Sequence, residues 1–146
     1  MTNIELMAML LICDTNDYSK ELHAHRLGHV INATEVPLVP YACKFSFFAK
    51  IVNMPTDHTV DFSIQLVDPK GVTLARTPRK ALYNVRADDQ IPGVDIAMII
   101  GFVVCFPGIH WAQLIIDNET ACQVPITIRL REKTVIVDEP MDRTGT

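Results

Sequence analysis

The sequence has no surplus of basic residues: 13 Lys and Arg stand against 17 Asp and Glu, for a formal charge of -4. A nucleic-acid surface needs clustered cations to displace phosphate counterions, so that class of partner is not expected. No C-x-x-C pair is present either. The four cysteines lie at positions 13, 43, 105 and 122, a spacing that fails both zinc-ribbon and thioredoxin-type arrangements. Each falls in an apolar segment, so small buried hydrophobes in a reducing compartment are the expectation. There is no G-x-S-x-G elbow, and Ser19, Ser46 and Ser63 lack the glycine neighbours that would expose a strained nucleophile. Cys13 is followed by Asp14, whose carboxylate raises a thiol pKa and suppresses the thiolate. Met1 to Glu5 has no basic n-region, and the apolar run Leu6 to Ile12 is too short for a span and precedes no small-residue cleavage site. A cytoplasmic protein without membrane attachment, cofactor or evident small-molecule substrate is expected.

What the chain does have is apolar surface. Its 146 residues are 49% hydrophobic, with a positive mean hydropathy of +0.19, enough for one domain with a sizeable core. The plainest local pattern runs from His58 to Arg76. Val60, Phe62, Ile64 and Leu66 alternate with Thr59, Asp61, Ser63 and Gln65, placing apolar side chains on one face of a strand. Asp68-Pro69-Lys70-Gly71 then has the residues of a type I turn, with Val72 and Leu74 continuing the apolar face on the return arm. Around this hairpin the rest falls into strands. Ile4 to Cys13 reads as a central strand, and Glu21 to Val30 as a second strand paired with it, bulged at Gly28. Asn32 to Pro40 is a connection that cannot be helical. Tyr41 to Ile51 is a long half-buried strand, and Arg79 to Arg86 a further one with Ala81, Tyr83 and Val85 inward. Ile96 to Phe106 contains no polar side chain except a thiol and must be covered on both faces. Ile109 to Asp117, a tight turn at Asp117-Asn118-Glu119 and a strand from Cys122 to Leu130 complete the set, with Pro125 marking an edge or a bulge. The expected fold is all-β: an antiparallel, immunoglobulin-like β-sandwich of about eight to nine strands without substantial helix. Residues 1–137 form the single domain and 138–146 a polar C-terminal tail, with a short strand at Thr134 to Val137.

Five stretches, in their order along the chain, carry a resemblance. They are Leu11-Ile12-Cys13-Asp14, Leu66-Val67-Asp68-Pro69-Lys70-Gly71, Phe106-Pro107-Gly108, Ile116-Asp117-Asn118-Glu119 and Val124-Pro125-Ile126. Spread over most of residues 4 to 130, they resemble an uncharacterised bacterial family of small immunoglobulin-like β-sandwich domains. The resemblance implies the fold and no activity. Where such domains often have an aromatic residue two positions after the Pro-Gly, this chain has His110, and the stretch after Arg131 is an addition.

Two kinds of candidate site follow from the residues. His23, His25 and His29 form an H-x-H-x3-H pattern; residues two apart on a strand share a face, so His23 and His25 can reach one metal, with His29 joining if Gly28 does not flip the pleat. The competing reading is a polar row on a solvated strand face. Asp88-Asp89 with Asp95 nearby offers carboxylate oxygens to a calcium ion, and a solvated acidic loop is the commoner meaning of such a cluster. Loops Asp14 to Asp17 and Ala87 to Gly93 suggest a small-ligand site at a sandwich end. The second kind is an interface. If Ala112, Leu114 and Ile116 face inward, then Ile109, Trp111 and Ile115 face outward, where polar groups are usual. Ile99 and Val103 are surplus apolar residues in the same sense, and Met7, Met9 and Leu11 face away from Leu6, Ala8 and Leu10. One sandwich has one interior, so a non-enzymatic module that works by self-association or by binding a protein partner is the preferred expectation, and a metal-binding protein or metal-dependent enzyme using the histidines is the alternative.

Overall fold

A computed structural model describes residues 5–132, which fold as eleven strands without a helix. The strands are β1 Met7–Cys13, β2 Asn16–Ser19, β3 Ala24–Leu27, β4 Ala33–Val36, β5 Tyr41–Val52, β6 Val60–Val67, β7 Thr73–Arg76, β8 Lys80–Leu82, β9 Gly93–Val104, β10 Gly108–Ile116 and β11 Glu119–Leu130. One sheet has the order β1-β5-β9, and the other β4-β11-β10-β6-β7 with β8 also paired to β6. Leaving aside the short strands, the first, second and fourth long strands share one sheet and the third, fifth and sixth the other. That partition is the A-B-E and C-F-G division of an immunoglobulin-type sandwich. All pairs are antiparallel except β4 on β11. The expected tail and the strand at Thr134 to Val137 lie outside the described residues.

Alternation explains the core. Leu10 and Ile12, Phe45, Phe47, Ala49 and Ile51, and Ile100, Phe102 and Val104 point from the first sheet onto Phe62, Ile64, Leu66, Ala112, Leu114, Ile126 and Ile128 of the second. At roughly 1.5–3 kcal/mol per buried large side chain, this contiguous cluster is the main favourable term of folding. The Asp68 turn closes as its residues require. Asp68 is buried, its Oδ1 accepts from the amides of Lys70 and Val72 at 2.8 and 2.9 Å, and Gly71 takes a φ of 84°. At the other hairpin Asp117 and Asn118 both have positive φ, 49° and 68°, the two-residue geometry that matches strand twist.

Several strands differ from the sequence expectation. β1 is an edge strand and not central; Leu10 and Ile12 on one of its apolar faces enter the core, whereas Met7 and Met9 on the other are exposed. The segment Glu21 to Val30 pairs chiefly with β2, and only the bridge Cys13 to Val30 continues that register onto β1. The connection from Asn32 to Pro40 contains β4. Val72 is exposed because an extra residue between the Leu66–Ala75 and Val67–Thr73 pairs shifts the return arm. Ala81, Tyr83 and Val85 are exposed as well: β8 stops at Leu82, after which Asn84 Oδ1 draws the amides of Arg86 and Gly93 into a loop. Pro125 sits where β11 changes character. The amide of Thr127 donates to the Asn32 carbonyl at 3.0 Å, so the backbone nitrogen two residues earlier points the same way, past the end of β4, where among the described residues no strand pairs with it.

Candidate functional site

Three surfaces concern function, and each is set by which face of which sheet a strand presents. The outer face of the six-stranded sheet carries Ile109 and Trp111 of β10, both exposed. Trp111 lies between Val67 of β6 and Pro125 of β11. In the next row Gln113 stands between Gln65 and Gln123, and the three amides are joined: Gln65 Nε2 donates to Gln113 Oε1, and Gln113 Nε2 donates to Gln123 Oε1 at 3.1 Å. The centre of this face therefore bears no charge. Arg76, paired with Gln65, and Arg129, paired with Glu35, stand at its margins.

Ile115 is a correction. It lies on this outer face opposite Ser63, yet it is only 7% exposed and Ser63 only 2%. Between Leu114 and Ile115 the register against β11 slips by one residue, leaving Ala121 extra. A bulge bends the strand and increases its twist, and beyond it the outer face is closed. Ile99 and Val103 are exposed, at 69% and 47%, on the outer face of the three-stranded sheet, across the sandwich from Trp111, so the expected cover on the second face of β9 is not supplied there by the described residues. The five residues expected to form one interface thus divide between two opposite faces and one enclosed position.

The outer face of the three-stranded sheet is partly sealed by the β2–β3 hairpin. Phe48 of β5 points outward but is buried, with the His25 ring packed against it at a tilt, 5.2 Å between centroids, and Tyr18 tilted against His25 at 4.9 Å. Cys13 and Ser46, paired in register, are buried on the same side. Burial pushes the Cys13 thiol up, and the Asp14 carboxylate adds to the rise. Cys43 and Cys122 are also raised by burial, and Cys105 is exposed after β9; all four are free thiols.

The histidine triplet is not assembled. His25 is half-buried against Phe48, its Nδ1 3.2 Å from Asn16 Oδ1. His23 sits in the turn before β3 with φ of 49°. His29 lies on the far side of Gly28, where its Nδ1 is 2.7 Å from Asp14 Oδ2, and this contact lowers the Asp14 pKa. No group of three His, Cys, Asp or Glu side chains is placed to hold a metal ion among the described residues. Asp95 does not join the exposed Asp88 and Asp89. It lies on the sheet face, where Lys50 Nζ at 3.0 Å and Arg86 Nη2 at 2.6 Å both donate to its Oδ1.

His23 and His25 do share a cleft. About 410 Å³ in volume, it is bounded by the hairpin, the loop before β9 and β9 itself, through Tyr18, His23, His25, Val85, Arg86, Gln90, Val94 and Asp95. A second hollow of about 320 Å³ continues it over Phe48 and Lys50. The hollow expected at a sandwich end lies instead on a sheet face. It takes Gln90 from the loop Ala87 to Gly93 and Tyr18 from just beyond Asp17. Sequence reasoning missed Lys50 and Arg86. The available signal for the first was a charged residue in line with the outward Ser46 and Lys44; Arg86 had none.

Residues 8–129 match one protein family along nearly the whole sandwich. The chain belongs to DUF6941, a family of unknown function. No curated protein matches this DUF6941 chain. Among solved structures it is similar to the CARDB domain of PF1109 from Pyrococcus furiosus, described as a complex with di-metal ions, at 8% identity and a TM-score of 0.47, covering 87% of this chain and 94% of that one. An immunoglobulin-like protein, PA1606 of Pseudomonas aeruginosa, is similar at 9% identity and a TM-score of 0.40, over 86% and 98%. The alkylpurine DNA glycosylase AlkC of Pseudomonas fluorescens is similar at 8% identity and a TM-score of 0.43; 86% of this chain is covered but only 30% of the glycosylase. The membership carries no assigned activity.

Proposed function

We propose that this DUF6941 domain is a non-enzymatic association module whose six-stranded sheet docks on the same sheet of a second copy. The observation that carries the reading is the uncharged centre around Trp111. Interface cores are depleted in charge and enriched in aromatic residues, with polar groups at the rim. Here Ile109, Trp111, Val67 and Pro125 form the apolar middle, and Arg76 and Arg129 stand outside it. A second copy is favoured because the face complements itself. Like charges would repel across a two-fold axis, whereas each glutamine amide both donates and accepts.

The test uses Trp111 as its own reporter, since it is the chain's one tryptophan. Mass by light scattering and tryptophan emission are followed together as the protein is diluted. Dimerisation predicts a blue-shifted emission that moves to the red as the mass halves, and Trp111→Glu is monomeric at every concentration with an unchanged circular dichroism spectrum. A monomer throughout, or a dimer that Trp111→Glu leaves intact, refutes the reading.

A further inference from the structure

The cleft on the opposite face has a chemistry of its own. Lys50 and Arg86 converge on one carboxylate oxygen, Asp95 Oδ1, which leaves the trio with one excess positive charge. Among the described residues Arg86 makes no other side-chain hydrogen bond, so most of its donor fork is unspent, and Lys50 likewise gives only one of its three ammonium protons. The arginine is held in place. Asn84 Oδ1 accepts from the Arg86 and Gly93 amides at 2.9 Å each, pinning the loop that carries it. His23 and His25 line the same space.

We infer that this cleft binds a small phosphate monoester, with Arg86 and Lys50 taking the phosphoryl oxygens and His23 lending a further donor. Guanidinium geometry suits a tetrahedral oxyanion, and a dianion gains more from two converging cations than a singly charged carboxylate does. The same two cations disfavour a metal ion at His23, His25 and Asp95. They would repel it, and they already compensate the carboxylate charge that would hold it. The site lies across the sandwich from Trp111, so it stands or falls independently of the proposed dimer.

Calorimetric titration of the full chain with inorganic phosphate, at fixed ionic strength, tests the assignment. Phosphate is expected to saturate one site in the millimolar range or tighter, and acetate to bind at least tenfold more weakly. Arg86→Gln reduces phosphate affinity at least tenfold. Because that variant also removes a partner of Asp95, His23→Asn is the second probe: it changes an exposed turn residue to one that tolerates positive φ, and it weakens phosphate several-fold. Absence of saturable phosphate binding, equal affinity for acetate, or phosphate binding that neither variant alters overturns the inference. So does Zn²⁺ binding tighter than phosphate that His23→Asn abolishes.

Discussion

Replacing His110 by phenylalanine is expected to stabilise the protein, against the usual direction of core substitutions. His110 of β10 is 0% exposed. Its Nδ1 lies 3.1 Å from the Gly108 carbonyl oxygen, to which it donates, leaving Nε2 as a lone-pair acceptor with no partner. A buried polar group without a hydrogen bond costs roughly 1–3 kcal/mol, whereas the bond to Gly108 contributes roughly 0.5–1.5 kcal/mol. Phenylalanine removes the first and forfeits the second. Gly108 is a half-buried residue, so the forfeited bond is taken as the smaller of the two. The phenyl ring is one atom larger, a swap close enough in volume to cost under about 1.5 kcal/mol, and it gains from burying a wholly apolar surface. The net expectation is about 1 kcal/mol of added stability, or about 2–4 °C in Tm for a domain of this size. Urea melts read by circular dichroism should show a higher midpoint with an unchanged slope. His110→Ala provides the counterweight, because a void in the same place costs about 2–4 kcal/mol. A loss of more than about 1 kcal/mol in His110→Phe would mean that Nε2 has a partner, and the reasoning fails.

Phe48→Ala should cost about 3–5 kcal/mol, as for an interior phenylalanine, although alternation puts it on an outer face; a urea midpoint unchanged from wild type would show that the β2–β3 hairpin does not seal it. The Asp14 carboxyl, held below its ordinary range by the hydrogen bond from His29, binds fewer protons folded than unfolded. Its contribution is present above the unfolded value of about 3.9 and is lost as pH falls through the lower folded value. Asp14→Asn therefore flattens the acid limb of a plot of urea midpoint against pH below about 4; an acid limb identical to wild type counts against the pairing.

The sequence was informative where function of a residue and local geometry coincide. Asp68 to Gly71 folds as its side chains demand, and the alternation from Val60 to Leu66 and from His110 to Leu114 assigns every face correctly. Face is not exposure, however. Phe48 and Ile115 are both outward by alternation and both buried, one under a hairpin some 25 residues upstream and one beyond a bulge. Periodicity carries no information about what crosses over a sheet. The Lys50, Arg86 and Asp95 trio was illegible for a related reason: Lys50 and Asp95 meet through strand pairing, Arg86 is brought to them by the loop before β9, and no spacing in the chain announces them. His23, His25 and His29 show the converse. Their spacing is regular, but a turn at one end and Gly28 at the other send only two of them to the same place.

Pro125 bears on how copies of this domain can and cannot accumulate. Among the described residues the margin of β11 before Thr127 pairs with no strand, and such backbone can recruit a stray strand and extend into a ribbon. At residue 125 an incoming chain meets a pyrrolidine ring in place of an amide, and the ladder it would build is interrupted there. Growth by strand recruitment is thus discouraged along that border, while the broad surface around Trp111, which offers side chains and not backbone, remains open to a contact that closes after two.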